Sequence, residues 1–278
     1  MGTLLQNPSS IDTSFYKKKP KGMSTAEYIA TQYEGTDGDG GLSDTGTSVF
    51  SPCLCEMDYL WFTKEGDRIL DPFAGGSVRG IVAERMGRKY TGIELRNEQV
   101  EANVIQGTDI CDECPEWICG DSLHMDALVG ERMFDHIFTC PPYGDLEVYS
   151  DDAADLSNMS HEEFDSTYAE ILRIAASHLE NNRFATIVVG NYRDGRGMLR
   201  DLNGITVRAM EDAGLRYYND MVYVTPVGTL PIRVPRMFKA SRKVGRTHQY
   251  VLNFVKGDPK KASERLGEVD IPDLSEEE

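Results

Sequence analysis

Two kinds of segment alternate along the chain, short apolar runs and longer segments with apolar residues at helical spacing. Short apolar runs such as "RILDPF" at 68–73 are typical of buried parallel strands. Each run is followed by apolar residues at helical spacing, as in "SVRGIVAERMG" at 77–87, where Gly87 is a stop signal. The same unit of strand and helix repeats at 89–106. Strands that alternate with helices predict an α/β fold, a doubly wound Rossmann-like sheet that is mostly parallel.

The second half of the chain continues this pattern and ends differently. The segment 161–182 places apolar residues on one helical face, and 183–191 is an apolar run typical of another buried strand. Two strands then close the pattern, at 216–227 and 248–257. Such a final adjacent pair predicts an antiparallel edge on the parallel sheet.

Composition divides the chain into three parts. Residues 1–47 are rich in Gly, Ser, Thr and Asp and predict a flexible N-terminal arm. Residues 48–257 form one domain, and 258–278 are an acidic C-terminal tail. No run of about 18 apolar residues occurs, and the N-terminus lacks a signal-peptide pattern. We therefore expect a cytoplasmic protein outside the membrane, with its six cysteines reduced.

The formal charge of −17 argues at first sight against a nucleic-acid partner, because phosphate repels an acidic surface. The charge is unevenly distributed, however, and the segment 231–246 contains no acidic residue. Its cations are Arg233, Arg236, Lys239, Arg242, Lys243 and Arg246. The sequence therefore predicts an acidic body with one basic face that contacts phosphates.

Acidic residues follow three successive predicted strands. Asp71 precedes the glycine-rich turn "AGGS", and such a turn lets the backbone approach a ligand closely, although it also serves plain strand-to-helix packing. Glu94 lies about 20 residues beyond that turn, the spacing at which a carboxylate binds ribose hydroxyls. Asp121 closes the next strand. The pattern predicts a nucleoside ligand, and the missing lysine in the turn argues against a nucleoside triphosphate.

The stretch "FTCPPYG" at 138–144 ends a fourth predicted strand. Two adjacent prolines fix two φ angles and remove two backbone donors, so the loop is stiff and its carbonyls stay free to accept hydrogen bonds. Tyr143 adds an aromatic face on which a flat ring can stack. The loop lies where doubly wound sheets bind ligands, beyond the carboxyl ends of the strands.

The chain resembles the S-adenosylmethionine-dependent DNA methyltransferases of the amino type in four successive motifs. These motifs are "DPFAGGS", "YTGIEL", "GDS" and "TCPPY". The similarity covers roughly residues 48–257. It implies a methyltransferase sheet, S-adenosyl-L-methionine as cofactor, DNA as partner, and methylation of N6 of adenine or N4 of cytosine. By this resemblance Glu94 binds the ribose and Asp121 the adenine amino group. The full set of implied cofactor residues is Ser51, Asp71, Phe73, Gly75, Glu94, Asp121 and Ser122.

The same resemblance assigns the catalytic loop to Cys140, Pro141, Pro142 and Tyr143, which would present a flipped base. An exocyclic amine is a poor nucleophile, because its lone pair is delocalised into the ring. Rigid carbonyl acceptors that hold its hydrogens favour the tetrahedral geometry in which it attacks a methyl group. The residue types of the loop therefore agree with amino methylation.

Cys140 departs from the family pattern, which has Asp, Asn or Ser at this position. Either the thiol merely replaces serine, or it adds to C6 of a cytosine and activates C5 for methylation. Known C5 enzymes carry their cysteine in a Pro-Cys loop, which favours amino methylation. A methyltransferase of RNA or of a small molecule, and a binding module without catalysis, also stay open.

Two further features of the sequence bear on ligands and partners. Cys111 and Cys114 have the spacing of a zinc knuckle, with Cys53 and Cys55 as the obvious candidates to complete four ligands. We predict no metal and leave the question of zinc at these cysteines open.

Almost no separate domain remains for reading a target sequence, so we expect relaxed specificity, a homodimer or a separate specificity partner.

Overall fold

The computed structural model describes residues 50–144, 150–225 and 230–269. The arm predicted for residues 1–47 lies outside this part of the chain, as do residues 270–278 of the predicted tail. Within the described ranges, none of the helices combines the length and the apolar composition that crossing a bilayer requires.

One seven-stranded sheet organises the described residues, in the order β3-β2-β1-β4-β5-β9-β8. Strands β1 to β5 pair in parallel, and β9 pairs antiparallel with both β5 and β8. The predicted doubly wound sheet with an antiparallel edge is therefore confirmed. The strands of this sheet are β1 (Arg68–Asp71), β2 (Lys89–Glu94), β3 (Glu116–Cys119), β4 (Phe134–Thr139), β5 (Leu179–Val189), β8 (Arg216–Val224) and β9 (His248–Lys256). The short strands β6 (Tyr192–Arg193) and β7 (Leu199–Arg200) form a separate antiparallel pair.

Helices cover both faces of the sheet. Successive strand residues point to opposite faces, so Ile69 and Phe138 enter one core while Leu70 and Ile137 enter the other. Each of these side chains is buried and contributes roughly 1.5–3 kcal/mol to folding. The helices are α1 (Pro52–Phe62), α2 (Val78–Arg85), α3 (Asn97–Ile110), α4 (Met125–Val129), α5 (His161–Ser177), α6 (Leu202–Asp212), α7 (Leu230–Ser241) and α8 (Pro259–Leu266).

The boundary between α5 and β5 differs from the prediction of a helix over 161–182. Helix α5 begins with a capping box between Ser160 and Glu163 but ends at Ser177. Strand β5 already begins at Leu179, which pairs with Phe134 of β4. The sheet ladder recruits residues whose local sequence also suits a helix, because tertiary hydrogen bonds outweigh weak helix propensity.

Helix α8 lies inside the segment predicted to be an acidic tail. Asp258 caps its first turn, and Ala262 is buried against the sheet. Arg265 binds Asp67 and, at 2.9 Å, Asp135, both near the amino ends of strands. The chain after residue 257 therefore continues as part of the folded domain up to this helix.

Helix α1, which the sequence did not predict, docks on β4 through a buried pair. His136 bonds the carbonyl of Phe184 at 2.8 Å through Nδ1 and the carboxylate of Asp58 at 2.7 Å through Nε2. Both partners are fully buried. This pair fixes the helix so that the preceding residue Phe50 lies beside the carboxyl end of β1, where its ring contacts Arg79.

Candidate functional site

The glycine-rich loop after β1 borders open space. Gly75 has φ +51°, and a Cβ atom placed on Gly75 or Gly76 would meet nothing within 4 Å. Gly92 of β2 allows the loop to come close, because a Cβ there would lie 2.8 Å from the Cβ of Ala74. The loop thus offers an exposed backbone edge to a ligand at the carboxyl end of the sheet.

Asp71 lies behind this loop rather than in the open space. Its side chain is fully buried and accepts hydrogen bonds from four donors. They are Arg79 Nε at 2.6 Å, Tyr90 Oη at 2.7 Å, Thr139 Oγ1 at 2.6 Å and the Phe73 amide at 3.1 Å. The resemblance implies that Asp71 lines the cofactor pocket, which stays a prediction, and the contacts of its side chain tie the loop to β2 and β4.

Arg79, on the first turn of α2, completes this arrangement. Its Nη2 donates to the carbonyls of Phe73 at 2.6 Å and Ala74 at 2.9 Å, and the ring of Phe50 lies 4.7 Å away. Burial alone would lower the pKa of Arg79, but the charges around it, chiefly that of Asp71, raise the pKa above its ordinary value. The guanidinium therefore stays charged, and it joins two carbonyls of the loop to Asp71 at the end of β1.

Glu94 faces the same loop from the end of β2. Its Oε2 accepts from the Gly75 amide at 2.9 Å, and its Oε1 accepts from the Arg96 amide at 3.0 Å. Asn103 of α3 donates to the Gly75 carbonyl at 2.7 Å. Burial raises the pKa of the Glu94 carboxyl, and the amide hydrogen bonds offset only part of that rise. Each carboxylate oxygen keeps a second lone pair, so Glu94 can still accept from two hydroxyl groups.

The end of β3 is joined to the loop of β1. Ser122 is buried and donates to the Pro72 carbonyl at 2.6 Å, while Asp121 accepts from the Leu123 amide at 2.9 Å. Phe73 packs on Tyr168 with ring centroids 5.8 Å apart. Ser51 starts α1 next to Phe50. The structure therefore brings the predicted cofactor residues to one edge of the sheet, with Asp71 and Ser122 as supports behind it.

The loop that contains Cys140 and the two prolines follows β4 directly. Thr139, the last residue of β4, donates to Asp71, so this loop and the glycine-rich loop share one anchor. Pro141 is buried, whereas Cys140 and Tyr143 are half-buried. The Tyr143 ring meets Tyr192 edge-on, with centroids 6.4 Å apart. The two predicted halves of the site lie side by side at the centre of the sheet.

The basic segment divides into two groups in the structure. Helix α7 carries Arg233, Arg236 and Lys239 and has no buried residue. Arg242 lies over the ring of Phe238 at 5.1 Å. Arg246 is different, because its Nη1 donates to the Asn191 carbonyl at 3.3 Å and its Nη2 lies 3.4 Å from Nε2 of His248. Arg246 is thus close to the ends of β5 and β9, and Lys243 is half-buried beside Gly197. The other four cations of the segment are exposed.

The cysteines of the chain are all free thiols. Among residues 50–144, 150–225 and 230–269, no group of three or more potential metal ligands occurs. Burial, followed by the hydrogen bond to Glu84, raises the pKa of Cys111 to about 12, so this thiol stays protonated at neutral pH.

Sequence reasoning missed several residues that build the site. Arg79, Tyr90, Asn103 and Thr139 hold the two loops from behind, and Gln249 of β9 contacts Tyr143. Arg79 gave one signal that was overlooked: it is a cation among the apolar residues of α2, immediately after a glycine-rich turn. An unpaired cation would not be stable at such a position, which predicts a buried acidic partner.

Comparison with protein families finds a match that includes part of this site. Residues 59–105, which contain the glycine-rich loop and Glu94, match the family model described as DNA methylase for N6 and N4 enzymes. In this segment the chain is similar to amino-type DNA methylases. The predicted resemblance to amino-type DNA methylases is thereby confirmed for the segment 59–105.

Curated relatives named type II methyltransferases match the chain over short segments. The type II methyltransferase M2.DpnII of Streptococcus pneumoniae is 48% identical over 48 residues, which are 17% of this chain and 18% of the relative. M.Cfr9I of Citrobacter freundii is 42% identical over 65 residues, 23% of this chain and 20% of the relative. The chain thus aligns with about a fifth of the length of these relatives.

Solved structures share the fold at low sequence identity. A methyltransferase from Pyrococcus furiosus superposes with a TM-score of 0.52 and 19% identity, over 83% of this chain and 95% of that chain. TrmN from Thermus thermophilus superposes with a TM-score of 0.51 and 14% identity, over 74% of this chain and 49% of that chain. These likenesses establish the Rossmann-like methyltransferase fold.

Proposed function

We propose that the protein transfers a methyl group from S-adenosylmethionine to an exocyclic amine of DNA, N4 of cytosine or N6 of adenine. The shared anchor at Asp71 is the observation that carries this proposal. Arg79 joins Asp71 to the glycine-rich loop, and Thr139 joins it to the loop of Cys140. A methyl donor on one loop and an acceptor base on the other would therefore meet at a fixed distance.

The residues of the first half suit the cofactor. The Glu94 carboxylate would accept from the two ribose hydroxyls, and Asp121 would accept from the adenine amino group. The open backbone edge at Gly75 and Gly76 leaves room for the cofactor beside the loop. When bound, the cofactor supplies a methyl group on a sulfonium that needs no further activation. The protein has to bind it, orient it and exclude water.

The second half would hold the base. Carbonyl groups of Cys140 and Pro141 would accept hydrogen bonds from the amine, which favours a tetrahedral nitrogen with its lone pair directed at the methyl group. The ring of Tyr143 would stack on the flipped base. The amine nitrogen would form a bond to the methyl carbon as the bond from that carbon to the sulfonium breaks, with S-adenosylhomocysteine as the leaving group. The nitrogen would afterwards lose one proton to solvent. No covalent bond to Cys140 is needed, so its thiol acts as a replacement for serine.

The first experiment is to identify the methylated nucleoside by mass spectrometry after incubation with unmethylated DNA and to compare the wild type with Cys140→Ser. We expect N4-methylcytosine or N6-methyladenine, and we expect the serine variant to keep or exceed the wild-type rate, because a hydroxyl accepts a hydrogen bond better than sulfur does.

A cytosine C5 mechanism would give different results in the same experiment. It requires a bond from the sulfur to C6, so Cys140→Ser would be inactive and DNA with 5-fluorocytosine would trap the wild-type protein covalently. Detection of 5-methylcytosine would overturn the amino assignment. Methyl transfer to RNA with none to DNA would overturn the choice of substrate.

DNA contact is assigned to the basic surface of α7 and the residues that follow it. This part of the chain carries cations without acids on an otherwise acidic protein, as expected for a surface that displaces counterions from phosphates.

A homodimer or a separate specificity subunit stays a proposal, and so does a cytoplasmic location.

The double variant Arg236→Ala, Lys243→Ala tests the DNA surface. It should weaken binding to duplex DNA of any sequence and reduce the slope of log affinity against log salt by about 2, since each lost phosphate contact removes about 1. Cofactor affinity should not change. Fluorescence anisotropy at several salt concentrations measures the slope.

Lys260→Ala, Lys261→Ala on α8 is the matched control, because it removes two exposed cations elsewhere on the domain. An equal loss of slope in this control would mean that the binding is non-specific attraction to charge. A change in sequence preference without a change in slope would mean that the residues of α7 read bases.

A further inference from the structure

Tyr143 is held from the side of the sheet that carries the antiparallel strands. Gln249, near the start of β9, donates from Nε2 to the Tyr143 hydroxyl at 2.5 Å. The two residues lie 106 positions apart in the chain. The contact links the loop of β4 directly to β9, although β5 lies between these strands in the sheet.

The backbone around the ring leaves space for this contact. Gly190 directly follows β5, and a Cβ atom on it would lie 3.7 Å from both Gln249 Cγ and Tyr143 Cε1. Gly144 has φ +56°, and Tyr192 occupies the space that a side chain at that position would need. The ring is therefore bounded by Gly190, Tyr192 and Gln249.

We propose that Gln249 is a positioning residue that fixes the orientation of the Tyr143 ring before a base enters. The inference rests on the proposed function, in which Tyr143 stacks on the target base. An edge contact with another ring, such as that of Tyr192, still allows a phenol ring to turn about its side-chain torsions. A hydrogen bond at the far end of the ring removes that freedom, so the stacking surface is preorganised.

This arrangement also gives β9 a part in the site. Strand β9 was predicted only as an edge element of the sheet, and none of the predicted catalytic residues belongs to it. Because the Gln249 carboxamide and the Tyr143 hydroxyl are both neutral groups, the contact carries no net charge. The contact would therefore affect a reaction through the orientation of the Tyr143 ring and not through the electrostatics of the amine.

The test compares Gln249→Leu, Gln249→Glu, Tyr143→Phe and the double variant Gln249→Leu, Tyr143→Phe. Transfer of labelled methyl groups from S-adenosylmethionine to unmethylated plasmid DNA gives kcat and KM, and calorimetry gives cofactor affinity. Gln249→Leu should lower kcat by about 2- to 10-fold, the value of one hydrogen bond, with unchanged cofactor affinity. Gln249→Glu should retain most of the rate, because a carboxylate accepts from the hydroxyl.

The double variant should be no slower than Tyr143→Phe alone, since Gln249 is argued to act through the hydroxyl. A further loss of rate in the double variant, equal to that of Gln249→Leu in the wild type, would overturn the inference. So would a fall in cofactor affinity that accounts for the loss of rate.

A second readout does not depend on activity. In protein labelled with 3-fluorotyrosine, the fluorine resonance missing from Tyr143→Phe belongs to Tyr143. Gln249→Leu should shift this resonance and leave those of distant tyrosines in place, whereas an unchanged Tyr143 resonance would show that Gln249 does not position the ring. If the wild type methylates no DNA and the resonance still shifts, the proposed function is wrong while the contact stands.

Discussion

Arg79→Met should lower the free energy of unfolding by about 3–5 kcal/mol, because it leaves Asp71 as a buried charge without its cationic partner. The Arg79 side chain is 6% exposed and that of Asp71 is fully buried, so solvent cannot replace the lost interaction. The carbonyls of Phe73 and Ala74 also lose their donor. Urea denaturation followed by circular dichroism measures the change, and cofactor affinity should fall with it.

Two variants control this result. Arg68→Ala removes an arginine that is 43% exposed and lies 3.8 Å from Asp135, and it should cost less than about 1 kcal/mol. Adding Asp71→Asn to Arg79→Met should recover part of the lost stability, since no uncompensated charge then remains in the interior. A destabilisation by Arg79→Met no larger than that by Arg68→Ala would contradict the anchoring role of this pair.

Glu94→Ala should weaken binding of S-adenosylmethionine by about 2–3 kcal/mol, the usual cost of lost hydrogen bonds to a charged group. This corresponds to a roughly 30- to 150-fold higher dissociation constant in calorimetry. The variant also removes the acceptor of the Gly75 amide, which loosens the loop that borders the cofactor. Glu98→Ala, an exposed acid on α3, is the control, and an unchanged affinity in Glu94→Ala would exclude the residue from the site.

The pH dependence of cofactor binding follows from the same carboxyl group. Its pKa is raised by burial, so Glu94 takes up a proton at a higher pH than an exposed glutamate does. The protonated form is the weaker acceptor. Affinity should therefore be constant at neutral pH and fall as the pH is lowered through the raised pKa. Glu94→Gln should abolish this fall, and the same pH profile in that variant would assign the titration to another group.

Local sequence was sufficient to predict the architecture of the domain and to place the candidate site residues at one edge of the sheet. The alternating apolar patterns predicted the parallel strands and their helices, because each pattern depends on neighbours within one element. The prediction from local sequence failed where a helix and a strand compete for the same residues or where polar residues dominate the segment. Leu179 entered β5 and not α5, and α8 formed within a segment whose acidic composition suggested a tail.

The sequence by itself determined the order of the motifs, the acids at the strand ends and the stiffness of the proline loop, because these depend on adjacent residues. Only the tertiary structure decided what each polar side chain contacts. Asp71 binds Thr139 across 68 positions, and Gln249 binds Tyr143 across 106. Local propensity does not encode such pairs. They arise when parallel packing brings distant strand ends together and every buried polar group must find a partner.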